Sequence, residues 1–147
     1  MDQASRDCLE NILRREGRSL FQYVREVPLW VNLHDQNALA RLRELANAEL
    51  RVTEDLALWM QRHGASPIAF GAFPDFTPYN DAALGYLLPL IVREQKQLLG
   101  ELRTDRSAIN DNEAASFLDK LIALKQSHIS QLEALQPGRH TFTIATV

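Results

Sequence analysis

Glu16, Glu49 and Glu94 each fall where the apolar stripe of a helix should carry leucine, and His128 takes the same kind of position further on. A carboxylate removed from water is costly unless it is paired with a cation, protonated or bound to a metal. Three carboxylates and an imidazole, one per helix, have the chemistry of a carboxylate metal site or of what remains of one. Lys125, three residues before His128, brings an ammonium to the same stripe. A cation among carboxylates lowers their pKa values and competes with a metal for the same charge.

The spacing places these groups at one depth. The first stripe runs Leu9, Ile12, Glu16, Leu20, Tyr23, and the second Leu42, Leu45, Glu49, Val52, Leu56, Trp59. The third runs Leu84, Leu87, Ile91, Glu94, Leu98, and the fourth Phe117, Leu121, Leu124, His128, Leu132. Steps of three and four keep one helix face turned inward, and each series has its polar residue near the middle. Taken singly, each Glu can reach water from the edge of a stripe, and a lone His128 reads as a core histidine. The alignment of all four carries the site reading.

Four helices must position them. The first is expected over about residues 3–26, stopped by Pro28. The second, capped by Asp35 or Asn37, runs to about His63, with Gly64 as its stop and Pro67 beyond. The third starts near Thr77-Pro78 and runs to about Arg106. Asn110 and Glu113 form a capping-box pattern for the fourth, which Pro137-Gly138 ends. The 64–77 connection is long for a compact domain and carries Phe70, Phe73 and Phe76. A second helix of about 26 residues is about 39 Å long, and about 14 extended residues cover about 46 Å. The connection can therefore travel the length of a bundle and leave the second and third helices parallel.

In this order and spacing the chain resembles the ferritin-like superfamily, in its bacterioferritin and rubrerythrin branches. Glu16 with Gln22-Tyr23 resembles the first helix of that family, and Glu49-Leu-Arg-Val52 with the Gly64…Pro67 exit the second. Glu94 resembles the third-helix ligand, and Lys125-Gln-Ser-His128 stands where the last Glu-x-x-His would be. The family takes one Glu from each of two helices and a Glu-x-x-His from each of the other two to hold two irons. The resemblance spans about Leu9 to Leu135 and implies an all-α, antiparallel four-helix bundle with one long crossover between the second and third helices.

The motif is incomplete. Val52 replaces one histidine and Lys125 one glutamate, leaving Glu16, Glu49, Glu94 and His128 as a vestigial or atypical metal set. Lys125 is expected to substitute for the metal by pairing with Glu16 or Glu94. The resemblance thus implies a non-catalytic binding or assembly module without a cofactor. The alternative is an iron- or manganese-dependent oxidoreductase or iron-handling protein, its metal on Glu16, Glu49 and His128.

Composition frames this. The chain has 147 residues and a net charge of -3, which suits one bundle domain over 1–137 with an extended tail over 138–147. The tail, Arg139 to Val147, alternates polar and apolar residues, is rich in β-branched ones, and reads as a docking segment or a loose end. Without a basic block, nucleic acid is not an expected partner. Without an apolar run of about 18 residues, no helix is expected to span a membrane. The start lacks the pattern of a signal peptide, so a cytoplasmic protein is expected. Cys8 is alone and falls on an apolar face, as a buried, inert thiol would. Trp59 is expected in the core and Trp30 against the turn after the first helix. Bundle faces and the Phe-rich connection suit a homodimer.

Overall fold

The structure is a computed structural model that describes residues 1–68 and 71–135. It is all-α, with helices α1 (Gln3–Gly17), α2 (Leu20–Tyr23), α3 (Gln36–Arg62), α4 (Leu84–Ser107) and α5 (Asn112–Leu135). No described helix is long and apolar enough to cross a membrane. The 138–147 tail, the Pro137-Gly138 stop and Phe70 lie outside the described residues.

Local chemistry sets the boundaries. The Asp2 carboxylate accepts from the Ser5 amide at 2.8 Å and starts α1. The expected continuous first helix is interrupted at Arg18–Ser19, because Ser19 is extended and its hydroxyl accepts from the Gln22 amide at 3.2 Å. Serine competes with the helix backbone for such bonds, so a new helix starts at Leu20. At the end of α3 the amides of Gly64 and Ala65 bond back to Gln61 and Met60, a Schellman turn that needs the positive φ of 92° at Gly64. Helix α4 starts at Leu84, later than expected; Thr77–Tyr79 forms only a 3-10 turn, after which Asn80 is extended and Asp81 takes a positive φ. The cap of α5 is Asp111, whose carboxylate accepts from the Ala114 amide at 3.0 Å, and not the Asn110–Glu113 pair. Glu113 instead accepts from the indole N–H of Trp59 at 2.7 Å.

In each of the helix pairs that follow, the contacting residue numbers rise on one partner as they fall on the other, so the two run in opposite directions. Between α1–α2 and α3, Arg6 reaches His63 and Gln22 reaches Ala46. Between α1–α2 and α4, Arg15 meets Asp105 and Leu20 meets Glu94. Helix α5 meets α3 through Trp59–Glu113 and Arg41–Gln131, and α4 through Arg106–Asp119 and Lys96–Glu133. The connection after α3 follows α1–α2. Ala65 and Ile68 pack against the apolar cluster that includes Leu9 and Ile12, Gly71 lies against Arg18, and Phe73 and Phe76 pack on Tyr23 at 5.3 and 5.2 Å. The Tyr23 hydroxyl then donates to Asn80 at 2.6 Å, and the Asp81 amide donates to Pro28.

The core has two apolar clusters. One gathers Leu9, Ile12, Leu13, Val52, Leu56, Trp59, Leu102 and Leu121; the other gathers Leu20, Phe21, Val24, Leu42, Leu45, Leu87, Ile91 and Leu132. On each long helix the residues between the two are polar and buried: Glu16, Glu49, Gln95, and Lys125 with His128. Trp59 is buried as expected, whereas Trp30 is 60% exposed and only its backbone holds the turn, by a bridge to Ala83.

Candidate functional site

The polar layer is organised around one ammonium. The Lys125 Nζ lies 2.7 Å from Glu16 Oε1, 2.7 Å from Glu49 Oε1 and 2.5 Å from Gln95 Oε1. An ammonium has three N–H donors, and here each has an oxygen from a different helix. Lys125 is 1% exposed, so these partners replace all of its hydration. The second oxygen of Glu49 faces His128 Nδ1 at 2.6 Å, which completes a chain from Lys125 through Glu49 to the imidazole. Lys125 and His128 stand three residues apart on α5 and so present neighbouring side chains to the same layer.

The charges settle unequally. Burial pushes the Glu16 carboxyl above its ordinary value, against the pull of Lys125. Burial pushes Glu49 the same way, but the Lys125 charge and the bonds from His128 and Lys125 outweigh it and hold Glu49 low. For Lys125, burial acts to lower the value and the two carboxylates outweigh it, so the ammonium is held above its ordinary range. The layer is therefore built on Lys125⁺ and Glu49⁻, with Glu16 the easier group to protonate. Two buried polar atoms beside Lys125's partners have no hydrogen-bond partner: Glu16 Oε2 and Gln95 Nε2.

Glu94 does not join this layer. Its oxygens accept from the Leu20 amide at 2.8 and 3.2 Å, so the carboxylate closes the start of α2 across the helix interruption. Burial raises its pKa, and the backbone amides of Leu20 and Phe21 pull the other way. The third-helix member of the layer is Gln95. The step from Ile91 to Gln95 is as compatible with an inward stripe as the step to Glu94, but an amide carries no sign of a metal site and escaped the sequence reading. Gln22, also buried, turns its amide N–H to the Ala46 carbonyl at 2.8 Å.

The donor set does not fit a metal at this centre. Lys125 already holds one oxygen of each core carboxylate, apolar Val52 follows Glu49 at the helical step where a second imidazole would stand, and Glu94 is engaged elsewhere. Among the described residues, no group of three or more His, Cys, Asp or Glu is placed to hold a metal ion. Cys8 is half-buried, and burial, then Asp105, pushes its thiol upward, away from the reactive thiolate.

A groove of about 480 Å³ opens outside the layer, between α3 and α5, with His128 among its lining residues. No family model matches the sequence, and no curated protein or solved structure shows significant similarity to it.

Proposed function

We propose that this chain is a non-catalytic binding or assembly module, an antiparallel four-helix bundle of ferritin-like connectivity whose central ammonium stands in for a metal. The observation that carries the reading is the Lys125 tripod on Glu16, Glu49 and Gln95. An ammonium with three oxygen partners offsets the charge of the buried carboxylates as a metal cation would, and it cannot change oxidation state. The connectivity is supported by the contact order. Helices α3 and α4 both meet α1–α2 in the opposite sense, which supports a parallel α3–α4 pair joined by a crossover. That arrangement is the ferritin-like one. Trp30, Leu33 and Tyr86 are exposed apolar side chains that such a module could use for assembly, as a homodimer or otherwise.

The test restores the ligands. Lys125→Glu with Val52→His completes two Glu-x-x-His patterns, on α3 and α5. Thermal melts with and without Mn²⁺ should show a metal-dependent rise in the double variant and none in the wild type, because ligand binding to the native state alone stabilises it. An equal rise in both proteins would contradict the reading.

A further inference from the structure

The backbone beside the α4 start is left as an open strand edge. Trp30 forms a parallel bridge to Ala83, and its amide donates to the Ala82 carbonyl at 3.1 Å. Successive residues of a strand turn their N–H and C=O groups to opposite edges. Those of Leu29 and Val31 therefore point away from Ala82 and Ala83, and among the described residues neither their amides nor their carbonyls have a hydrogen-bond partner. Such an edge is a template for another strand. The side chains alternate as well: Leu29 and Val31 pack on the apolar cluster of Leu20, Phe21 and Leu132, whereas Trp30 is 60% exposed. Leu135, the last described residue of α5, packs on that same cluster. The chain that continues from Leu135 thus starts at the end of the bundle that carries this edge.

We propose that the chain's own C-terminal segment, Thr141 to Val147, adds a strand to the open edge at Leu29 and Val31. Thr141, Thr143, Ile144, Thr146 and Val147 are β-branched and Phe142 is aromatic, the residue types that pack on a pleated strand. Polar and apolar residues alternate from Thr141 to Ile144, as in a strand with one covered face. Pro137-Gly138 suits the turn that must leave the helix. The reach is sufficient, since the chain from Leu135 to Thr141 spans up to about 20 Å when extended. In strand addition the main-chain bonds supply the affinity and alternate side chains set the register. Phe142 and Ile144 fall on one face of the segment and suit a place beside the exposed Trp30, as aromatic and β-branched residues pair across strands. An edge occupied in this way is closed to a second chain, so the segment also keeps copies from pairing through it. The inference goes beyond the binding-module reading and does not depend on the central layer.

Amide hydrogen exchange of the full chain, followed residue by residue by NMR, tests it. In the wild type the Leu29 and Val31 amides should exchange at least about 50-fold slower than in an unstructured chain, because edge amides left to water exchange freely. Alternate residues of the added strand face the edge, so at least one of Thr143→Pro and Ile144→Pro removes a donor from it. At least one of these variants should speed both amides by about ten-fold or more, while the Leu42 amide in α3 keeps its protection and reports an intact bundle. Nuclear Overhauser contacts should join the backbone protons of residues 29–31 to those of residues 141–147 in the wild type. Fast exchange at Leu29 and Val31 in the wild type, or protection that neither proline variant reduces, would overturn the inference. So would protection that falls on dilution from about 1 mM to about 20 µM in step with the loss of a dimer, which would assign the strand to a second copy. Manganese melts of the Val52 and Lys125 variants bear on none of these outcomes.

Discussion

Replacing Lys125 with Met removes the charge and keeps much of the volume. In the structure it deletes three bonds, of 2.7, 2.7 and 2.5 Å, from a side chain that is 1% exposed. Glu49 keeps His128, whereas Glu16 has no other partner, because its second oxygen is already unpaired. The cheapest relief is a proton on Glu16. Glu16 is already raised in the native protein, so holding a proton at pH 7 on a carboxyl whose ordinary value is 4.5 adds at most about 3 kcal/mol to the difference. The lost bonds to Glu49 and Gln95 add to that, which agrees with the 3–5 kcal/mol typical of breaking a buried pair, about 10–15 °C in melting temperature for a chain of this size. The proton makes the deficit depend on pH. Glu49 is depressed in the native protein, so its contribution is present above 4.5 and is lost as pH falls through its lower folded value. Without Lys125 both carboxyls rise, and acid supplies the missing proton at about 1.4 kcal/mol per pH unit. Because the raised Glu16 of the wild type also gains as pH falls, urea melts at pH 7 and pH 5 should give a gap between wild type and variant that shrinks by at most about 2 kcal/mol. A gap below about 1 kcal/mol at pH 7, or one that widens toward pH 5, would refute the reasoning.

Further outcomes follow from the layer and from the helices around it. Replacing the whole cluster, as Glu16→Leu, Glu49→Gln and Lys125→Met together, should recover at least half of the loss in urea melts, since an apolar core replaces a buried charge set at little net cost. Lys125 is held above 10.5 by its carboxylates, so its contribution is complete below that pH and fades as pH rises through the folded value; alkaline melts of wild type and Lys125→Met should converge only above about pH 10.5. Glu94→Ala should cost about 1–2 kcal/mol by chemical denaturation, the loss of a cap on Leu20, with no change in the Mn²⁺ response of the Val52→His, Lys125→Glu background. Gly100→Ala, with nothing within 4 Å of the new Cβ in mid-α4, should stabilise by about 0.5–1 kcal/mol, whereas Gly71→Ala, at a φ of 75° and with its new Cβ against the Arg18 guanidinium, should destabilise by about 1 kcal/mol.

Much of the helical order was legible because steps of three and four among leucines persist across each element. The layer was legible in part for the same reason: Glu16, Glu49, Lys125 and His128 interrupt apolar stripes, and the structure brings these four together. Glu94 and Gln95 show the limit. Adjacent residues near the edge of a stripe differ by about 100° around the helix, so the stripe alone does not decide which turns inward. The interruption at Ser19 decided it here, since a free Leu20 amide drew the carboxylate to the edge. That interruption had a signal, Ser19 followed three residues later by Gln22, the pattern of a capping box hidden inside an apolar run. The late start of α4 had a weaker one, because Pro78 suits a 3-10 turn as well as a helix start. Trp30 shows that a large aromatic near a turn does not specify its own burial.

The central claim is that an ammonium takes the place of a metal between Glu16, Glu49 and His128. Anomalous diffraction from crystals of the full chain, purified aerobically and soaked in Mn²⁺, tests it most directly. The account predicts Lys125 Nζ within hydrogen-bonding distance of Glu16, Glu49 and Gln95 and no anomalous peak among them. A manganese or iron peak at about 2.0–2.3 Å from Glu16, Glu49 and His128, with Lys125 displaced, would contradict it.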